Sequence, residues 1–138
     1  MSETYTEKQL ADRLASVPLF ASTTARQRKR LARAGKVLTW KDGRVAIKQG
    51  TTGAAFFLIL DGAVEVVIDA KPVNRLTSGD FIGEMALLSG DRRTADIVAL
   101  DDTTVFALGR PALAAAMTTE PGIGIALLES MAARQRLN

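Results

Sequence analysis

The chain has 138 residues and contains no histidine and no cysteine. These absences exclude Ser-His and Cys-His nucleophile pairs, a histidine general base, zinc sites built on imidazole or thiolate, and a disulfide framework. An enzyme that relies on carboxylates, lysine, tyrosine or Mg²⁺ stays open. The length fits one domain of common size. We therefore expect a single domain over residues 1–138 and favour a binding module over an enzyme.

Long apolar runs are also missing. The longest, such as residues 54–60, are far shorter than the ~20 residues that span a bilayer. The first five residues do not show the basic segment and apolar segment of a secretory signal. The sequence therefore predicts a cytoplasmic protein with no membrane span. Because 47% of the residues are hydrophobic and 24% are charged, the chain can bury a core.

Positive charge is concentrated near the N-terminus. Residues 1–50 carry 11 lysines and arginines against 4 acidic residues, and residues 51–138 carry 7 against 11. No aromatic residue interleaves the densest basic run, so we favour a solvated face or a docking site for an acidic partner over direct nucleic-acid binding. The basic residues of this run are Arg26, Arg28, Lys29, Arg30, Arg33 and Lys36.

Helices are predicted at both ends of the chain. Thr6 and Gln9 have capping-box spacing for a first helix that stops at Pro18. A second helix begins after the cap cluster at residues 22–24, continues through Ala34, and is followed by Gly35 in the position of a helix C′ glycine. Two C-terminal helices are expected, from residue 110 to near 118 and from after residue 122 to about 137. One apolar stripe is predicted along the last helix: Ile123, Leu127, Met131 and Leu137.

Short β runs fill the middle of the chain. Strands are predicted at residues 37–40, 45–48, 56–60, 64–68, 73–76, 97–100 and 103–108. Asp61-Gly62 is a strong hairpin signal, and Asp101-Asp102 is interpreted as a turn and not as a metal-ligand pair. Regular short strands indicate an antiparallel jelly roll. The predicted fold is α+β, with an antiparallel β-roll (37–109) flanked by N-terminal helices (1–36) and two C-terminal helices (110–138).

Residues 79–99 interrupt the strand rhythm. A short helical turn over residues 84–88 is entered through Gly83 and left through a Ser-Gly pair, and two arginines precede the next strand. The amides and the dipole at the start of a helix favour an anion, and Gly83 permits close approach to the backbone. A guanidinium at Arg92 or Arg93 could hold phosphate oxygens, whereas the Glu84 carboxylate suits a sugar hydroxyl. Together these residues describe a ribose-phosphate pocket.

This segment resembles the phosphate-binding cassette of the cyclic nucleotide-binding domain family. That family includes bacterial catabolite activator proteins, regulatory subunits of cyclic-AMP-dependent protein kinase and nucleotide-gated channels. From about residue 17 to 131 the chain follows the family order, with matches at residues 17–20, 43–50 and 57–66. The resemblance implies a cyclic nucleotide receptor that changes conformation when its ligand binds and that has no catalytic residue, metal site or cofactor. It also implies a member without the DNA-binding domain of the transcription factors.

The family resemblance also implies individual contacts. Glu84 would accept from the ribose 2′-hydroxyl, with the Gly83 amide beside the sugar. Arg93 would pair with the exocyclic oxygens of the cyclic phosphate, and the amides of Thr94 and Ala95 would complete the cradle. The two residues after Glu84 would line the sugar. The implied ligand-binding set is Gly83, Glu84, Met85, Ala86, Arg93, Thr94 and Ala95.

The base contacts are less defined. In the family, a hydroxyl at the position of Thr94 can contact the amino group of a syn guanine, so cyclic GMP stays possible, although we favour cyclic AMP. The family's last helix caps the base, and here Arg134 and Leu137 are the candidates. Two departures, Gln49 in place of a more usual glutamate and the added Ile82 before Gly83, do not fall on the inferred phosphate contact.

Two alternatives come from other functional classes. A degenerate domain that binds no nucleotide could act as a docking or dimerisation module through its basic helix and last helix. Nucleotide hydrolysis is disfavoured because the chain has no histidine and no clustered metal carboxylates. A receptor would signal through a protein effector or a homodimer.

Overall fold

The computed structural model describes residues 5–90 and 92–137, with side chains as far as residue 133. The helices in these ranges are α1 (Glu7–Leu14), α2 (Ala25–Ala34), α3 (Glu84–Ser89), α4 (Arg110–Thr119) and α5 (Gly122–Leu137). The strands are β1 (Lys36–Trp40), β2 (Val45–Ile47), β3 (Ala55–Asp61), β4 (Ala63–Ile68), β5 (Lys71–Thr77), β6 (Phe81–Ile82), β7 (Asp96–Ala99) and β8 (Thr103–Gly109). A 3-10 turn, Pro18–Phe20, lies between α1 and α2. The described residues form two compact units, one within residues 37–110 and the other within residues 1–36 and 111–138.

Residues 37–110 form a β-roll of two four-stranded sheets. Their strand orders are β1-β8-β3-β6 and β2-β7-β4-β5, and the pairings with a resolved register are antiparallel. Successive side chains of a strand point to opposite faces, so Ile97 and Ala99 of β7 are buried while their neighbours are half-buried. One core cluster consists of Trp40, Ile47, Ile59, Val64, Ile97, Ala99 and Val105. The predicted α+β fold with an antiparallel roll is confirmed.

The shortest strand was missed by the sequence prediction. β6 has two residues, Phe81 and Ile82, and two residues cannot show an alternating pattern. It exists because Ile82 pairs with Phe57 and Phe81 pairs with Leu58 of β3. This pairing fixes the point at which the chain leaves the sheet for α3.

The first helical unit begins with the expected cap. Gln9 N donates to Thr6 Oγ1 at 3.1 Å and Thr6 N donates to Gln9 Oε1 at 2.9 Å, which is the reciprocal capping box. The helix itself ends at Leu14, earlier than the predicted stop at Pro18. Gly35 ends α2, but its φ of −92° and ψ of −173° are extended. The left-handed conformation typical of a C′ glycine is absent there because β1 begins at the next residue.

The predicted apolar stripe of α5 is partly wrong. Ile123 and Leu127 are buried, but Met131 is exposed. Steps of four residues drift around a 3.6-residue helix, so the buried face continues through Ala126 and Ser130 instead. Ser130 Oγ accepts from the backbone N of Ser22 at 3.0 Å. The side chains of the base-cap candidates Arg134 and Leu137 lie outside the described residues.

No single helix in residues 5–90 and 92–137 is long and apolar enough to cross a membrane. The pair formed by α4 and residues 122–133 of α5 has the length and composition of a membrane span when the two are taken together, but a bend of 117° separates them.

Candidate functional site

A glycine in the left-handed region joins β6 to α3. Gly83 has φ 83° and ψ 19°, a conformation that costs an L side chain about 1–2 kcal/mol. The space beside it is also closed, because a Cβ would contact the carbonyl oxygen of Ala55 and lie 2.6 Å from Nη1 of Arg93. Only glycine lets the β6–α3 turn approach Arg93 this closely.

Glu84 is the first residue of α3 and is 8% exposed. A carboxylate in the first turn is stabilised by the helix dipole. The turn is closed by Leu87 N, which donates to the carbonyl oxygen of Gly83 at 2.9 Å. Met85 is exposed and Ala86 is buried. The first turn of α3 thus combines a buried carboxylate with an exposed thioether side chain.

The backbone of Arg93 is held by the turn that follows β2. Gly50 N donates to the carbonyl oxygen of Arg93 at 2.9 Å, and Arg93 N donates to the carbonyl oxygen of Thr51 at 2.8 Å. Thr52 and Arg92 form an isolated antiparallel bridge. These hydrogen bonds fix the position from which the Arg93 side chain extends.

The guanidinium group of Arg93 lies against the backbone of this turn at Gly53 and of the first residue of β3. Its Nη2 donates to the carbonyl oxygen of Ala55 at 2.9 Å, and its Cζ lies 6.0 Å from the ring centroid of Phe57. None of the ion pairs among the described residues involves Arg93. Burial lowers the pKa of Arg93, but an arginine stays protonated at neutral pH. The side chain is therefore a half-buried cation that no described carboxylate neutralises.

A cavity of about 330 Å³ lies beside these residues. Apolar side chains from strands β2, β6 and β7 form part of its wall, and α3 and the segment before β7 complete the lining. Its lining consists of Ile47, Phe81, Ile82, Gly83, Glu84, Met85, Ala86, Arg92, Arg93, Thr94, Ala95 and Ile97. The cavity thus has apolar walls, a carboxylate and two arginines, a combination that suits a ligand with both an anionic and an apolar part.

Comparison with known proteins agrees with this geometry. The cyclic nucleotide-binding domain family matches residues 37–120, more than half of the chain. The chain belongs to this family. This cyclic nucleotide-binding domain is similar to the cAMP-dependent protein kinase regulatory subunit of Pyricularia oryzae, with 34% identity over 116 residues that cover 81% of the chain and 30% of that protein.

Two further similarities bear on the domain. The cGMP-dependent protein kinase of Eimeria tenella is 39% identical over 72 residues, which cover 52% of the chain and 7% of that kinase. The N-terminal domain of a transcriptional regulator from Streptomyces coelicolor A3(2) has a TM-score of 0.85 and 26% identity, covering 91% of this chain and 93% of that one. The chain spans less than a third of the length of the two kinase-related proteins.

All seven predicted site residues of the cyclic nucleotide-binding domain line the one cavity. Thr94 is exposed there and Ala95 is half-buried. Arg92, which the family resemblance left without a role, lines the same cavity and is exposed. The structure brings the seven predicted residues together around one cavity. Their roles in ligand binding stay predictions.

Several cavity and supporting residues were not predicted. Ile47 and Ile97 are paired across β2 and β7, so their shared position depends on the sheet register. Gly53 and Ala55 matter because the Arg93 side chain crosses them. No local signal identifies such residues, since each acquires its role from a partner 38 to 50 positions away in the sequence.

The two departures from the family pattern have different surroundings. Ile82 lines the cavity. Gln49 is hydrogen-bonded to the β4–β5 turn. Its Nε2 donates to Asp69 Oδ1 and its Oε1 accepts from Asp69 N, each at 2.9 Å. Among residues 5–90 and 92–137, no three acidic side chains lie close enough together to hold a metal ion.

Proposed function

We propose that this domain is a receptor for a cyclic nucleotide, with cyclic AMP preferred, and that the cavity beside α3 is its binding site. The observation that carries the proposal is the half-buried guanidinium of Arg93, which borders the cavity and donates to the neutral carbonyl of Ala55. A phosphate in the cavity would supply the counter-charge that no described carboxylate provides. The family match supports the same class of ligand.

The cavity residues divide between the phosphate and the sugar. Arg93 would hold the exocyclic phosphate oxygens, and the amides of Thr94 and Ala95 would donate to them. The buried carboxylate of Glu84 would accept from the ribose 2′-hydroxyl, because an ionised carboxylate is an acceptor and repels the phosphate. The Gly83 amide would lie beside the ribose, with Met85 and Ala86 at its edge. Such a site needs no proton-transfer group, which agrees with the absence of histidine and cysteine.

The base preference is part of the proposal. The Pyricularia oryzae relative is named for cyclic AMP and the Eimeria tenella relative for cyclic GMP, so the family contains both. Thr94 is exposed and lines the cavity, and because it carries a hydroxyl, cyclic GMP stays the second candidate. We favour cyclic AMP.

Binding would act as a signal by shifting a conformational equilibrium. A ligand shifts such an equilibrium only by the difference in its affinity for the two states. In the ligand-bound state the phosphate would draw the Arg93 guanidinium away from the carbonyl of Ala55. The hydrogen bond between them would then be present only in the ligand-free state. Contact with a protein effector or a second copy of the domain would then report the change.

The competing functions receive less support. The nucleotide-free docking module is not favoured, because the cassette residues and the cavity are both present. We propose that the domain is not an enzyme, since the Pyricularia oryzae relative, which matches 81% of the chain, is a regulatory subunit. The expected cytoplasmic location and the expected domain bounds stay predictions.

A thermal-shift panel on the wild-type chain tests the proposed function. Cyclic AMP at 100 times its Kd is expected to raise the melting temperature by about 5–10 °C, because a ligand that binds only the folded state stabilises it by about 2.7 kcal/mol. Cyclic GMP should give a smaller shift, and 5′-AMP and adenosine close to none. A flat response to millimolar cyclic AMP and cyclic GMP would overturn the receptor proposal and favour the docking module. A larger shift with cyclic GMP would overturn only the base preference.

A further inference from the structure

Four basic side chains form one face of α2, which we call the basic ridge. They border a surface cavity of about 320 Å³. Residues three and four positions apart lie on the same side of a helix, and the ridge residues follow that spacing. The basic ridge consists of Arg26, Lys29, Arg30 and Arg33.

Two carboxylates of the chain already bind part of the ridge. Arg33 donates from Nε and Nη2 to the two oxygens of Glu7 at 3.0 and 2.9 Å. Glu120 lies between two other arginines, with Oε1 3.4 Å from Nε of Arg26 and Oε2 3.9 Å from Nε of Arg30. Four cations therefore face two carboxylates, which leaves an excess of two positive charges.

The uncompensated charge is accessible to solvent. Among the described residues no carboxylate forms an ion pair with Lys29, and Lys29 is exposed. The side chain of Arg26 is 85% exposed and its contact with Glu120 is long. Lys29 and Arg26 are therefore the ridge residues that are available to an external carboxylate.

A groove with small apolar side chains adjoins the ridge. It has a volume of about 310 Å³ and shares Arg30 and Arg33 with the ridge. The remaining residues of this alanine groove come from α2 and α4, within the helical unit: Ala34, Ala112, Ala115, Ala116 and Thr119. Charge and a shallow apolar surface thus lie side by side.

We infer that the basic ridge and the alanine groove bind an acidic peptide segment of a partner protein. Carboxylates of the segment pair with Arg26 and Lys29, and its apolar side chains lie in the groove. The bidentate pair of Glu7 and Arg33 already shows the carboxylate geometry that this face accepts. The ridge and the groove share no residue with the cavity of the proposed nucleotide site.

A nucleic acid fits the same surface less well. No aromatic side chain lines the ridge cavity or the alanine groove, so neither offers a platform for stacking a base. The ten-residue helix α2 is about 15 Å long, which limits the number of phosphates it can contact. An alanine surface contributes nothing to a phosphate backbone but suits leucine side chains of a peptide.

Fluorescence anisotropy on the full chain tests this inference. The probes are a labelled 12-residue peptide of three Glu-Glu-Leu-Leu repeats, the same peptide with serine for leucine, and a single-stranded DNA 20-mer. We expect saturable binding of the first peptide, weaker binding as salt rises from about 50 to 300 mM, and at least about tenfold weaker binding of the serine peptide. Absence of saturable binding, equal binding of the serine peptide, or tighter binding of the DNA would each overturn the inference.

Charge reversal locates the binding face. Arg26→Glu with Lys29→Glu should weaken binding of the leucine peptide at least about tenfold. Lys29→Glu alone should weaken it about threefold or more, at a residue that forms no ion pair with the described part of the chain. The control pair, Arg44→Glu with Lys71→Glu, makes the same charge change at exposed positions of the β-roll. Equal weakening by both pairs would show attraction by net charge only and overturn the inference.

A second pair of variants tests the alanine groove. Ala115 and Ala114 are both exposed on α4, but only Ala115 lines the groove. Ala115→Glu should weaken binding of the leucine peptide at least about fivefold, whereas Ala114→Glu should change it less than about twofold. Equal effects of the two substitutions would contradict the role of the groove. Melting temperatures of all variants verify that they are folded.

Discussion

The guanidinium of Arg93 lies directly against Gly53, so closely that a Cβ on residue 53 would be 2.5 Å from Nε and 2.8 Å from Nη2. The same guanidinium then reaches the carbonyl oxygen of Ala55 at 2.9 Å. Gly53 therefore sets the path of the arginine side chain on which the proposed phosphate contact depends.

Gly53→Ala should displace the Arg93 guanidinium and weaken cyclic AMP binding about tenfold, equivalent to about 1.4 kcal/mol. The matched control is Gly124→Ala in α5, where a Cβ would lie 2.9 Å from the flexible end of the Met117 side chain. Calorimetric titration of both variants measures the effect. Unchanged affinity in Gly53→Ala would show that the arginine does not need this path.

We propose that Glu84 accepts a hydrogen bond from the ribose 2′-hydroxyl, so removal of either group should weaken binding by a similar factor. Glu84→Ala should weaken cyclic AMP binding about tenfold or more, since hydrogen bonds to charged groups contribute about 1.5–3 kcal/mol. 2′-Deoxy cyclic AMP should bind wild type weakly, and Glu84→Ala should reduce its affinity much less. Equal losses for the two nucleotides would contradict the assignment, because the carboxylate would then act independently of the hydroxyl.

The turn between β4 and β5 contains two non-glycine residues with positive φ. Asp69 has φ 51° and Ala70 has φ 65°, and an alanine in this region is strained by about 1–2 kcal/mol. Ala70→Gly should therefore raise the free energy of unfolding by about 1 kcal/mol in urea denaturation. Ala114→Gly in an exposed turn of α4 should lower it by a similar amount, because glycine is unfavourable inside a helix. Destabilisation by Ala70→Gly would contradict this account of the turn.

The ion pair of Glu7 and Arg33 predicts a pH dependence of stability. The hydrogen bond from Arg33 lowers the pKa of Glu7 in the folded state, so the unfolded chain binds a proton more readily. The stabilisation is present above the ordinary glutamate pKa of about 4.3 and is lost as the pH falls through the lowered value. Wild type should thus be more stable than Glu7→Gln at pH 7, and the difference should shrink in acid.

Urea midpoints at neutral and acidic pH check this dependence. The control is Glu129→Gln, since Glu129 is exposed on α5 and has no ion pair among the described residues. A difference between wild type and Glu7→Gln that stays constant with pH would refute the role of the carboxylate.

Local signals in the sequence located much of the fold and the cassette. Thr6 and Gln9 predicted a helix start because a capping box involves only neighbouring residues, and Gly83 marked the entrance to α3 for the same reason. Such signals act within a few residues, so their outcome does not depend on the rest of the chain.

Features that depend on pairing between segments far apart in the sequence could not be predicted from local signals. The two-residue strand β6 exists because Phe81 and Ile82 pair with β3. The importance of Gly53 follows from the position of Arg93, and the shared cavity position of Ile47 and Ile97 follows from the pairing of β2 with β7. Each requires the sheet register, which sequence periodicity does not specify across long separations.

Calorimetric titration of cyclic AMP into wild type and Arg93→Ala tests the central claim most directly. Truncating one partner of a buried charge pair costs about 2–5 kcal/mol, so the affinity should fall at least about thirtyfold. Arg75→Ala, at an exposed arginine of β5, should bind cyclic AMP like wild type. If folded Arg93→Ala bound cyclic AMP with wild-type affinity, the assignment of Arg93 to the phosphate would be wrong.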